Sequence, residues 1–87
     1  MDTFTRINAL IEKATADGID EAKSLLDGFK GKSEALTNTI DEFLLDFMTL
    51  VFVVESGEED FQTPIRKLAR TRLSKVKFLV GAEPECV

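Results

Sequence analysis

Residues 33–55 read SEALTNTIDEFLLDFMTLVFVVE, and apolar side chains recur through them at intervals of three and four. At about 100° per residue, Leu36, Ile40, Phe43, Leu44, Phe47, Leu50, Val51 and Val54 make one broad stripe. Leu45, Met48 and Phe52 extend it round one side and leave only Glu42, Asp46 and Thr49 on a narrow polar strip. A helix apolar over roughly 220° of its circumference needs several neighbours, from its own chain or from a second copy. Residues 50–55 are rich in β-branched side chains and also suit a strand. Their stripe continues in phase from Leu36, however, and no second strand-like segment exists to pair with them, so the pattern predicts helix.

Around this central helix the remaining pattern predicts three more. Phe4, Ile7, Leu10, Ile11 and Ala14 follow Asp2 or Thr3, either of which can cap, giving a helix over about residues 3–16 that Asp17-Gly18 breaks. Asp20 then caps a short second helix with Ala22, Leu25, Leu26 and Phe29 on its apolar face and Lys23, Asp27 and Lys30 on its wet one. Gly28 and Gly31 bracket its end, Ser33 caps the central helix, and Ser56-Gly57 stops it. GEEDFQT reads as the longest connection, because Thr63-Pro64 has the form of a helix start, Thr capping and Pro at the first helical position. The last helix is expected to reach about Val80, with Gly81 ending it and residues 83–87 forming a flexible tail. The fold class is therefore all-α, a single helical domain over 1–82 built as a small bundle of about four helices around a very apolar central one, and expected to be oligomeric.

Composition narrows the function more than the fold. At 87 residues there is room for one modest core, burying about 60–65% of the unfolded chain's surface. Seven Phe with no Trp or Tyr favour a dry core, since none carries a polar tip that needs a partner. Cys86 is the one cysteine, which excludes an intrachain disulfide and fits a reducing compartment. The first residues lack the basic start and apolar core of a secretion signal, and no apolar run approaches a membrane span. The expectation is a cytoplasmic protein without a membrane partner. Net charge is −5, unevenly spread: residues 1–60 hold five Lys/Arg against fourteen acids, residues 61–87 six against two.

Catalytic chemistry finds little to stand on. There is no histidine, and Cys86 sits on the tail with no fixed base beside it. Asp41, Glu42 and Asp46 lie close together on the central helix, where they read as a solvated or ion-paired strip. Gly31-Lys32-Ser33 resembles the end of a phosphate-binding loop, but the glycine required five residues earlier is Leu26, and a helix precedes it where a strand is needed. Glu55, Glu58, Glu59 and Asp60 lack the spacing of a calcium loop. No enzyme activity, metal or cofactor is expected.

The last helix carries the charge that remains to be explained. Ile65, Leu68, Ala69, Leu73, Val76, Leu79 and Val80 fill one face, Arg66, Arg70 and Lys77 align along one flank, and Lys75 lies at the other edge. Phe78 points away from the Ile65 face. Arg72 falls inside the apolar face, where an unpaired charge is costly. It needs an acid of the central helix, Asp46 first, or an anionic ligand, or a route for its stem to water. The functional expectation is a small interaction protein that self-associates through Leu45, Met48, Phe52 and Phe78 and acts by binding a protein partner, as an adaptor or inhibitor. The alternative is a binder of an anionic small molecule such as a nucleotide through Arg66, Arg70, Arg72, Lys75 and Lys77. Nucleic-acid binding is a weaker third reading, because the chain is acidic overall and its basic helix has no interleaved aromatics for stacking.

Overall fold

The structure, a computed structural model, describes residues 3–31 and 33–82, so residues 83–87 and the tail expected there lie outside it. The described residues form four helices, α1 Thr3–Lys13, α2 Ala16–Asp27, α3 Glu34–Glu55 and α4 Glu59–Ala82, with no strand among them. Each helix packs on its neighbour in sequence, and α1 closes the ring against α4. The most extensive packing is between α3 and α4. Ile7, Leu10, Ile11, Ala22, Leu26, Leu36, Ile40, Phe43, Phe47, Leu50, Val51, Ala69, Leu73 and Val76 form the buried core, with Phe43 and Phe47 tilted against each other at 5.9 Å. Residues 50–55 are helical.

The first break falls earlier than Asp17-Gly18. The chain turns at Ala14, which adopts φ 50°, and Thr15 caps α2 by accepting from the Gly18 N–H at 3.2 Å. Asp20 is therefore an interior residue of α2, and α2 is one residue longer than α1, 12 against 11. Gly18 is buried in the first turn of α2, where an added Cβ would stand 3.4 Å from the Phe47 ring and 3.3 Å from Thr15 Oγ1. Its smallness lets α2 approach α3; it does not make a turn.

Ser33 caps α3 as its sequence position implies, accepting from the Leu36 N–H at 3.0 Å. The other end closes in a Schellman motif: Glu58 N–H donates to the Val53 carbonyl, Gly57 N–H to the Val54 carbonyl, and Gly57 takes φ 75°, which glycine adopts without strain. Three residues then suffice to reverse the chain. α4 begins at Glu59, one turn upstream of Thr63-Pro64, so the long GEEDFQT connection is mostly helix and Pro64 lies inside α4. Its missing N–H leaves out one ladder bond, the one to the Asp60 carbonyl, in the second turn of the helix. At the other end Gly81 is still helical, and α4 runs on to Ala82.

The helices differ in length, α3 and α4 having 22 and 24 residues and thus about twice the reach of α1 and α2. Glu12, in the last turn of α1, meets Arg66 and Arg70 of α4, so the α3–α4 turn with the first residues of α4 projects about 10 Å past α1. The molecule is accordingly elongated, 47 × 20 × 18 Å. No helix among the described residues is long and apolar enough to cross a membrane.

Candidate functional site

The five basic positions singled out on α4 do not form one site. Arg72 turns toward α3, its Nε donating to Asp46 Oδ2 at 3.1 Å and its Nη1 lying 3.4 Å from Glu42 Oε1. The pair expected from the sequence is thus present. With 28% of the Arg72 side chain and 17% of the Asp46 side chain exposed, it is only partly desolvated. Arg70 is ion-paired with Glu12, and Arg66 Nη2 lies 3.5 Å from the Glu12 carbonyl oxygen, so both clamp the C-terminal end of α1, where the helix dipole favours cations. Lys75 and Lys77 are exposed and make no ion pair among the described residues.

A second basic grouping appears that the sequence reading missed. Thr63, Arg66, Lys67, Arg70, Thr71 and Ser74 line a shallow open groove of about 310 Å³ on the outer side of α4. Arg66 Nε is buried beside it with no hydrogen-bond partner among the described residues. The recurrence of Thr63, Lys67, Thr71 and Ser74 at three- and four-residue steps is the signal that marks this polar face. Near the turn, Glu58, Glu59 and Asp60 surround a depression beside Gly57 and Phe61, but among the described residues no group of three metal-ligating side chains converges.

The apolar positions assigned to self-association are open. Leu45, Met48, Phe52 and Phe78 are 61%, 50%, 66% and 72% exposed, far more than large apolar side chains of a packed stripe. On α3, Leu45, Met48 and Phe52 fall within about 60° of one another on the side opposite the core. Phe61 and Leu68 are also exposed, so Leu68 does not belong to the buried face of α4. They share a strip of α4 with Arg72, at steps of seven and four residues. Arg72 reaches Glu42, which borders Leu45 on α3, and the two strips therefore face the same side of the α3–α4 hairpin. Phe78 lies about 120° round α4 from Arg72 and is not continuous with them. Val53, outside the stripe read from the sequence, is buried, because the Asp46 flank of α3 is the one that α4 covers.

Two exposed ion pairs support the rim of the bundle. Arg6 donates to Glu21 in a forked pair between α1 and α2, which holds the Glu21 carboxyl below the usual glutamate range and raises the Arg6 guanidinium. Lys30 Nζ lies 2.8 Å from Asp41 Oδ1, and that hydrogen bond raises the Lys30 ammonium. Comparison with protein-family models, with curated proteins and with solved structures gave no match to this chain.

Proposed function

We propose that the protein is a non-enzymatic interaction module that self-associates through the outer face of α3 and acts by holding a protein partner, in the manner of an adaptor or inhibitor. The observation that carries this reading is the open row Leu45, Met48 and Phe52 on a helix whose opposite side already fills the core. A four-helix ring satisfies α3 on its inner side and needs nothing apolar on its outer one. An apolar row there, continued by Phe61 and Leu68, has the composition of a contact surface. Native mass spectrometry of freshly purified protein tests it. Dimers or larger assemblies free of small ligand are expected, and a monomer that retains a co-purified anion overturns it.

A second reading rests on the hydroxyl-lined basic groove and on Arg66 Nε, without a partner among the described residues, which together suit a phosphate-bearing small molecule. Arg70 and Arg72 already have carboxylate partners in the free protein, which leaves Lys67 and part of Arg66 for a ligand. Under this reading, nucleotides raise the melting temperature by mass action and Lys67→Ala abolishes the rise. Under the first, the same nucleotides leave it unchanged.

A further inference from the structure

We infer that the occupant of the α3 outer face is a second copy of this chain lying antiparallel to the first, with a two-fold axis passing between Met48 and Thr49. This rests on the self-association reading and adds the partner's orientation and register. Leu45 and Phe52 stand at equal distances on either side of that axis. Reversal therefore sets Leu45 of each copy against Phe52 of the other and Met48 beside its own counterpart, the self-complementary pattern that a closed dimer requires.

Charge selects the same orientation. Glu55, Glu58, Glu59 and Asp60 crowd the turn end of the hairpin, all exposed. Toward the far end Asp41 is neutralised by Lys30, while Lys75 of α4 has no acidic partner among the described residues. Since Arg72 lies level with α3 between Glu42 and Asp46, the antiparallel register brings Lys75, which shares the Phe61 and Leu68 side of α4, level with the acids of the other copy's turn. A parallel copy would stack four carboxylates on four. The area is sufficient but modest: Leu45, Met48, Phe52, Phe61 and Leu68, each about half exposed or more, offer on the order of 500 Å². Two copies then bury about 1,000 Å², the lower end of specific interfaces, so dissociation in the micromolar range is expected.

Cysteine cross-linking in the full chain carrying Cys86→Ser tests the register. A disulfide needs Cα atoms within about 7 Å. Across the proposed axis Met48 meets its own counterpart, whereas Leu45 lies about 10 Å along the helix from its counterpart. Met48→Cys, or Thr49→Cys should the first variant fold poorly, is expected to cross-link under copper phenanthroline at least about tenfold faster than Leu45→Cys or Phe52→Cys alone. A mixture of the last two should cross-link as a heterodimer. Self-cross-linking of Leu45→Cys as fast as Met48→Cys indicates a parallel pair and overturns the register. A dimer by sedimentation in which none of these variants cross-links overturns the α3 interface. A monomer by sedimentation refutes the self-association reading itself, so the failures are distinguishable.

Discussion

Arg72 on α4 and Asp46 on α3 are 26 residues apart in sequence and 3.1 Å apart in space, joined through Nε and Oδ2. Glu42 takes the second side of the guanidinium at 3.4 Å. This fork fixes how α4 is rotated against α3. It therefore fixes which side chains the hairpin leaves open. The partial exposure of both partners places its worth between a surface pair, about 0–1 kcal/mol, and a buried one, where removing a partner costs about 3–5 kcal/mol. Arg72→Ala should destabilise the protein by about 1–2 kcal/mol in urea unfolding, and a double-mutant cycle with Asp46→Ala should return a coupling of about 1 kcal/mol. A coupling near zero would show that the pair does not hold the hairpin.

Gly18 makes the opposite kind of claim, that an absent side chain is what matters. Helix propensity alone favours any larger residue except proline in α2, by as much as about 1 kcal/mol. A Cβ there, however, stands 3.4 Å from Phe47 and 3.3 Å from the capping Thr15 hydroxyl, and Phe47 is fully buried. Gly18→Val should lower stability by about 1–3 kcal/mol through overpacking. A variant as stable as the wild type would mean that α2 can slide away from α3.

Among the described residues Phe78 is the most exposed of the large apolar side chains, at 72%. Phe78→Ser should change unfolding stability by less than about 0.5 kcal/mol. A loss of several kcal/mol would show α4 turned differently about its axis.

The Arg6–Glu21 pair gives a pH dependence with a definite sign. Hydrogen bonding from Arg6 lowers the Glu21 carboxyl below its ordinary value of 4.5. Its contribution is then complete above that value and is lost as pH falls through the lower folded one. Wild type should exceed Glu21→Gln in urea midpoint at pH 6, and the gap should close below the folded value. Both side chains are exposed, so added salt should narrow the gap at pH 6 as well. A gap that survives strong acid would contradict the assignment.

Much of this architecture was legible in the sequence because burial follows periodicity. The α3 stripe, its Ser33 cap, its Ser56-Gly57 stop and the Arg72–Asp46 pair all follow from helical spacing and capping chemistry. Two boundaries were not legible, for physical reasons. The α1–α2 turn uses Ala14 in the left-handed region with no glycine to mark it, while Asp17-Gly18 imitates a turn for the sake of close packing. Thr63-Pro64 imitates a helix start, but one more turn forms ahead of it once the Schellman motif has reversed the chain at Gly57. The basic site was misassembled because sequence spacing on α4 cannot see Glu12, which draws Arg66 and Arg70 to α1 while Arg72 goes to α3.

The mass of the protein in solution, measured by sedimentation equilibrium across the micromolar range for wild type and Phe52→Asp, tests self-association through α3 most directly. The wild type should exceed the 9.7 kDa of one chain, with a weight average that climbs with concentration. Phe52→Asp, altered at a site 66% open, should keep its helical circular dichroism and remain at 9.7 kDa, whereas Phe47→Asp places a charge in the core and should not fold. A wild type that stays at 9.7 kDa at every concentration, or a folded Phe52→Asp that associates as the wild type does, would contradict the account.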